Sequence, residues 1–397
     1  MLMITRVLFI TGMKMVPVLL GWKLYELTGS KLALGILGLS EVIPAILLAL
    51  PAGVKIDRSN KHKLITNCLI YYLIVISILT FILSPFSKDH LSNRQIELGI
   101  YATVFCTGII RAYSSPALSA FLAQLVIQAQ LVRAASINSM SWLISAVIGP
   151  SLAGVLIAFF GVHYVFILIC ILLLASILCF MQIAPKPVSW NPDKVRTWEG
   201  AKEGLRFVYQ QKALFGTMSL DMFAVLFGGA VALLPVFAKD ILKVGPEGFG
   251  MLMSATYLGN FLAIAWLTAR PLMKEQGKLM LYSVGGFGVC IICFAISTNF
   301  ILSLLLLLLS GIFDGISVII RGTIFQLFVP DDMRGRVSSV NSIFVNSSNE
   351  LGQFESGVTA SFMGTVPAVI FGGVMTLGIT ALSWWKIPAL KEFHWKG

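Results

Sequence analysis

A polar stripe runs through an otherwise apolar segment at residues 342–357. Its members recur at three- and four-residue steps: Ser342, Asn346, Asn349, Glu350, Gln353 and Gly357. That spacing places them on one face of an α-helix, and such a face contacts a cavity or another helix rather than lipid. A carboxylate there can alternately bind and release a proton, so Glu350, with Asn346 and Gln353, is a candidate for proton coupling or substrate binding. A structural hydrogen-bond network, or an ion pair of Glu350 with Arg111 or Arg321, is the alternative.

The composition indicates where such a stripe must sit. Of 397 residues, 57% are hydrophobic and 12% are charged, about half the charged share of a typical soluble domain. An integral membrane protein follows from this balance. The net charge of +11 fits Lys and Arg in cytoplasmic loops and does not call for nucleic acid. The six cysteines lie in apolar runs and the four histidines are scattered, so neither a metal site nor a cofactor is expected.

Twelve apolar runs are long enough to cross a bilayer, which predicts an all-α membrane protein. They cover residues 2–27, 32–54, 64–84, 97–123, 133–159, 162–183, 213–238, 248–269, 279–297, 300–328, 337–362 and 367–387. Lys and Arg concentrate in every second connection and at the end of the chain. The positive-inside rule therefore places both termini in the cytoplasm.

An internal repeat divides the chain. A shift of 203 positions brings the segment that begins at Arg133 onto the one that begins at Arg336, with eight identical pairs and no gap, and brings Gly108 onto Gly311. We expect two pseudo-symmetric six-helix bundles, residues 1–184 and 213–397, joined by a cytoplasmic linker, 185–212. Within the linker, "WEGAKEGLRFVYQQ" predicts a short amphipathic helix on the membrane surface. Parallel repeats with a site between them are one plan for a transporter.

Further ionisable residues interrupt predicted spans, and four of them are the stronger candidates: Glu41, Arg111, Asp221 and Asp314. Each costs about 2.5–3.5 kcal/mol at the centre of a membrane, so each is a candidate for substrate binding or proton coupling. Arg111 and Asp314 coincide under the repeat shift. That suits an ion pair across a central cavity, the two ends of a zwitterionic substrate, or two structural anchors.

A polar connection, "GVKIDRSNKHK" at residues 53–63, separates the second and third spans. It resembles the G-x-L-x-D-R-x-G-R-R signature of the major facilitator superfamily. Gly53, Asp57, Arg58 and Lys61 match by type, and Asn60 replaces the second glycine, since Asn also adopts left-handed turns. The resemblance implies a cytoplasmic gate, which would also use the Arg334 and Arg336 of "VPDDMRGRVSSVNS". A basic loop that only sets orientation is the alternative.

Other segments extend the resemblance over nearly the whole chain, towards the branch that includes enterobactin and macrolide exporters. They include "SSPALSAFLAQLV" and "IGPSLAGVL". In the latter, Gly149, Pro150 and Gly154 resemble the exporter G-P-x-x-G motif, which would permit close helix packing and a bend; plain helix packing is as good an explanation.

The resemblance implies a proton-coupled secondary exporter of a small organic molecule, a siderophore or a drug-like compound, working by alternating access in a bacterial inner membrane. The expected partners are that substrate, protons and the lipid bilayer, with the protein acting as a monomer. Neither an enzyme nor a nucleotide-driven pump is expected, because no catalytic triad and no G-x-x-x-x-G-K-[ST] loop occurs in the sequence. An importer or facilitator on the same fold, or a membrane sensor without transport, is the alternative.

Overall fold

The structure, a computed structural model, describes residues 1–127, 130–185, 198–270, 275–330 and 333–393. Within these ranges eleven helices are long and apolar enough to cross a membrane. A further helix, Arg334–Met363, has 30 residues, about 45 Å at 1.5 Å per residue, but carries the polar stripe. Every one of the twelve predicted spans therefore corresponds to a helix, and the prediction of an all-α membrane protein is confirmed.

The chain forms two compact units. The first is Met1–Val195 together with Gly245–Ser254. Its helices are α1 (Leu2–Thr28), α2 (Lys31–Arg58), α3 (Lys61–Ile82), the short α4 (Pro85–His90), α5 (Asn93–Leu125), α6 (Leu131–Phe160) and α7 (Val162–Met181). Helix α2 packs along α5, and α1 packs along α6 and α7.

The second unit is Arg196–Val244 together with Ala255–Gly397. Its helices are α8 (Trp198–Gln210), α9 (Lys212–Gly228), α10 (Leu234–Val236), α11 (Gly245–Ala269, shared with the first unit), α12 (Gln276–Ile296), α13 (Phe300–Phe328), α14 (Arg334–Met363), α15 (Thr365–Lys386) and α16 (Pro388–Lys391). Most of the predicted linker, residues 186–197, lies outside the described residues. The bundle limits at 184 and 213 stay a prediction.

The connection between α2 and α3 is much shorter than the sequence suggested. Helix α2 continues to Arg58 and α3 begins at Lys61, so only Ser59 and Asn60 separate them. Asn60 is extended, with φ −64° and ψ 109°, and its side chain accepts a hydrogen bond of 3.1 Å from the Lys63 amide. The expected left-handed turn at Asn60 is thus wrong, because the residue instead caps the N-terminus of α3.

Packing glycines repeat with the same 203-residue shift in both units. A Cβ at Gly149 would lie 2.8 Å from the Lys14 Cβ on α1, and one at Gly352 would lie 2.8 Å from the Leu226 carbonyl oxygen on α9. Likewise, Gly161 and Gly364 have positive φ, at 79° and 92°, and each joins two consecutive helices. Equivalent helix crossings and turns in each unit support the internal repeat.

The amphipathic helix α8 packs against its own unit rather than lying on the surface alone. Val208 is fully buried in the apolar core of the second unit. A Cβ at Gly204 would lie 2.9 Å from the Arg336 carbonyl oxygen at the start of α14. The opposite side remains exposed, with Leu205 and Tyr209 at the surface. One face therefore belongs to the core, and only the other can meet lipid or water.

Candidate functional site

In the first unit, an ion pair joins α2 and α5. The Arg111 guanidinium donates a hydrogen bond of 2.7 Å to the Glu41 carboxylate. Gly108, one turn before Arg111, allows the helices to approach closely: a Cβ there would overlap the Glu41 carbonyl and lie 2.7 Å from Pro44 Cγ. The side chains are 32% and 25% exposed, so the pair lies at the edge of the packed core. Arg111, predicted to pair with Asp314 or Glu350, therefore has a partner within its own unit.

In the second unit, Arg321 on α13 forms an ion pair with Asp221 on α9. The Asp221 side chain is only 7% exposed. At that depth the two charges compensate each other, because an isolated charge in a low-dielectric interior is costly. From the sequence, Asp221 is a candidate and Arg321 only an alternative partner of Glu350, and the fold joins the two residues instead.

Asp314 has a neutral partner. The Asn260 amide on α11 donates a hydrogen bond of 2.8 Å to its carboxylate. Gly311, three residues earlier, sits against the Thr256 backbone of α11, as Gly108 sits against Glu41. The repeat thus places Arg111 and Asp314 at equivalent helix crossings, with an acidic partner in one unit and an amide in the other.

The helix of the seventh predicted span is interrupted. Helix α9 ends at Gly228, a 3-10 turn at Ala230–Leu233 follows, and α10 and a π turn at Phe237–Ile241 complete the span. Two consecutive glycines have low helix propensity, and Pro235 lacks an amide hydrogen, which accounts for the interruption. Ser356 on α14 donates a hydrogen bond of 3.0 Å to the Gly229 carbonyl. We call Gly228–Leu233, with the α14 residues against it, the α9 break.

Helix α14, which carries the polar stripe, contacts this span through Gly352 and Ser356, which are not members of the stripe. Gly352 packs on the Val225 and Leu226 carbonyls just before the interruption. On a different side of the same helix, Gln353 donates a hydrogen bond of 2.8 Å to Glu350, whose residue is only 7% exposed. A buried carboxylate with an amide donor on a membrane-spanning helix is a candidate for binding a substrate or an ion.

The predicted gate residues lie in different environments, and the structure describes the side chains of only some of them. A Cβ at Gly53 would meet nothing within 4 Å, so this glycine of the signature is not at a close helix contact. Lys61 is buried and Arg58 is exposed. Arg336 donates to Glu203 of α8 at 2.7 Å. The side chains of Asp57 and Arg334, and that of Asn346 in the stripe, lie outside the part of the chain that the structure describes. The gate stays a prediction.

Close packing surrounds the G-P-x-x-G motif of α6. A Cβ at Gly154 would lie 2.5 Å from the Pro246 carbonyl, and one at Gly250 would lie 2.5 Å from the Pro150 carbonyl. Next to this crossing, Ser151 donates a hydrogen bond of 2.7 Å to Ser254. Pro150 and Gly154 therefore lie where α6 and α11 approach closely, and Gly149 lies where α6 approaches α1, as a packing role requires.

Sequence reasoning missed the α9 break and Asn260. The adjacent glycines at 228 and 229 inside an apolar run, followed by Pro235, were the available signal for the break. Asn260 is a lone amide in a span, and nothing in the sequence connects it with Asp314. Among the described residues, no group of three or more His, Cys, Asp and Glu side chains could hold a metal ion.

Comparison with known proteins decides the family. The model of the Major Facilitator Superfamily matches residues 2–353. The chain belongs to this superfamily. This chain is 25% identical over 377 residues to the staphyloferrin A transporter of Staphylococcus aureus (strain NCTC 8325 / PS 47), and the alignment covers 94% of this chain and 92% of the relative. It is also 22% identical over 380 residues to macrolide efflux protein A of Streptococcus pyogenes, covering 90% and 87%.

Solved structures agree on the fold. A D-xylose-proton symporter superposes with a TM-score of 0.76 at 13% identity, covering 99% of this chain and 98% of that one. At this identity the likeness concerns the fold alone. The protein is thus a multi-pass membrane transporter of the major facilitator superfamily, a family whose members bind small-molecule substrates within the lipid bilayer.

Proposed function

We propose that this transporter exports a small organic molecule, a siderophore or a drug-like compound, in exchange for protons. The observation that carries the proposal is the buried Glu350 carboxylate on α14, which accepts a hydrogen bond from the Gln353 amide. The siderophore and macrolide relatives supply the substrate class. The membrane is proposed to be a bacterial inner membrane, with both termini in the cytoplasm and the protein acting as a monomer.

Proton exchange requires a carboxylate that can change its charge without breaking an ion pair. Glu41 and Asp221 are each bonded to an arginine, so protonation would forfeit that interaction. Asp314 instead accepts a hydrogen bond from the neutral amide of Asn260, and Glu350 accepts one from the amide of Gln353. A protonated carboxyl can still accept such a bond. Asp314 is therefore one proposed proton carrier, and Glu350 is the other because its carboxylate is buried next to an amide donor; the two ion pairs are proposed to hold helices in place.

The test is substrate-dependent proton movement in everted membrane vesicles under an imposed proton gradient. Siderophores and drugs are screened by the change in quenching of a pH-sensitive dye. The Glu350→Gln and Asp314→Asn variants keep a polar side chain of nearly the same size but cannot release a proton. We expect at least one of them to abolish substrate-dependent proton release while still binding the compound.

The matched control is Glu392→Gln, the same substitution at an exposed carboxylate near the end of the chain; proton release should be unchanged. Release that survives in both site variants would refute the proton-carrier assignment. Transport of a compound without any proton movement in the unaltered protein would instead support the alternative of a facilitator or importer. Absence of transport for every compound, with the protein folded and inserted, would favour the sensor alternative.

A further inference from the structure

An open groove lies on the surface of the second unit, between α12 and α15. It has a volume of about 550 Å³ and is lined by Tyr282, Gly378, Ala381, Leu382, Trp384 and Trp385. The rings of Tyr282 and Trp384 are 5.6 Å apart and tilted by 48°. A Cβ at Gly378 would meet nothing within 4 Å, so the floor of the groove is open. We call this feature the lateral groove.

The walls of the lateral groove are apolar and accessible. Tyr282 is 63% exposed, Leu382 is 56% exposed and Trp385 is 84% exposed. On a helix bundle that crosses a bilayer, such side chains face lipid. Tyr and Trp collect at the level of the headgroups, where an apolar ring and a polar edge each find a suitable neighbour. The groove therefore lies where an acyl chain passes into its headgroup.

Cations stand at one end of the lateral groove. The Lys391 ammonium lies 4.8 Å from the centroid of the Trp384 ring that lines it. Lys386, exposed, ends α15 directly after Trp385. Lys278, one turn before Tyr282, is ion-paired with Glu275 at 2.8 Å and contributes little net charge. Glu392 follows Lys391 and is exposed, but the Lys391 ammonium is directed onto the aromatic wall.

We propose that the lateral groove binds an anionic phospholipid. One acyl chain lies over Gly378 between the aromatic walls, and the phosphate contacts Lys386 and Lys391. The site is separate from the α9 break and would hold a resident lipid rather than a transported compound. Each lysine charge near a membrane surface enriches an anionic lipid roughly fivefold over a zwitterionic one.

Tryptophan quenching by brominated lipids tests this directly, because bromine quenches only rings that it contacts. The full-length protein is placed in nanodiscs of phosphatidylcholine that contain a minor fraction of either brominated phosphatidylglycerol or brominated phosphatidylcholine. The groove signal is defined as the tryptophan emission of the unaltered protein minus that of the Trp384→Phe/Trp385→Phe variant. We expect the groove signal to be quenched several-fold more effectively by phosphatidylglycerol than by phosphatidylcholine at equal fractions.

Two variants separate the headgroup from the chain. Lys386→Gln/Lys391→Gln should remove the preference for phosphatidylglycerol while leaving quenching by phosphatidylcholine in place. Gly378→Phe fills the open floor and should reduce quenching by both lipids. Lys63→Gln, the same change at an exposed lysine of the first unit, should alter neither.

Three results would overturn the proposal. Equal quenching by the two lipids in the unaltered protein would show an ordinary lipid-facing surface. A preference that persists without both lysines would place the anionic site elsewhere. Protection from both lipids in nanodiscs that hold two copies of the chain would show that a second copy covers the groove.

Discussion

Replacing Gly352 by alanine tests the packing of α14, the helix that carries the polar stripe, against α9 just before the α9 break. A Cβ at this position would lie 2.8 Å from the Leu226 carbonyl oxygen and 3.0 Å from that of Val225. Ordinary contacts begin at 3.4 Å, so α14 and α9 must separate by roughly half an ångström. Both neighbours are backbone atoms and cannot rotate away. Overpacking of this kind costs about 1–3 kcal/mol.

Measuring the steric cost of Gly352→Ala requires a matched control, because replacing glycine by alanine within a helix also stabilises that helix by about 1 kcal/mol. Gly322 on α13, in the same unit, supplies it, since a Cβ there would meet nothing within 4 Å. We therefore expect Gly322→Ala to leave thermal stability unchanged or raised. Gly352→Ala should be less stable than Gly322→Ala by about 1–3 kcal/mol, the steric part alone.

The assay is thermal unfolding of the purified variants in one detergent, followed by monodispersity and tryptophan emission. Substrate-dependent proton release in everted vesicles is measured alongside, because separating α14 from α9 displaces Glu350. A Gly352→Ala variant as stable as Gly322→Ala would refute the close packing. A variant that is destabilised but has unaltered proton release would refute the functional importance of the α9 break.

Three further outcomes follow from individual contacts. Arg321→Met leaves the Asp221 carboxylate buried without its partner and should reduce the stability by about 3–5 kcal/mol. The double variant Arg321→Met/Asp221→Asn should recover most of this loss. Equal losses of stability in the single and the double variant would contradict the ion pair. Asn60→Ala removes the N-terminal cap of α3 and should reduce the stability by about 1 kcal/mol. The loss should appear as faster hydrogen exchange in the first turn of α3. Unchanged exchange there would rule out the cap. Glu203→Gln breaks the ion pair with Arg336. Because the two side chains are 54% and 42% exposed, the melting temperature should shift very little. A large decrease in the melting temperature would show that the pair anchors α8.

Several properties of the fold could be predicted from the sequence because they depend on local pattern. Each long apolar run is helical, with one interruption in the seventh, since a helix satisfies its own backbone hydrogen bonds in lipid. The repeat was visible because the same shift aligns glycines at equivalent helix crossings, as at Gly149 and Gly352. The polar stripe of α14 was readable from its period alone.

The partners of the charged residues could not be predicted in the same way. Arg111 pairs with Glu41 and Arg321 with Asp221, whereas the sequence pattern suggests Asp314 or Glu350 as partners of these arginines. Helix periodicity tells which side chains share a face, but not which helix that face meets. The choice depends on the rotation and depth of both helices, which contacts along their whole lengths determine.

The sequence by itself determined the membrane location, the helices, their duplication and the polar character of α14, because hydrophobicity and helical period act over neighbouring residues. Only the tertiary structure decided that Asp314 meets an amide, that Gly53 faces open space and that Ser356 reaches the freed carbonyl of Gly229. The physical reason is that these contacts join residues from about 50 to more than 100 positions apart, and their geometry follows from where packed helices permit backbones to approach.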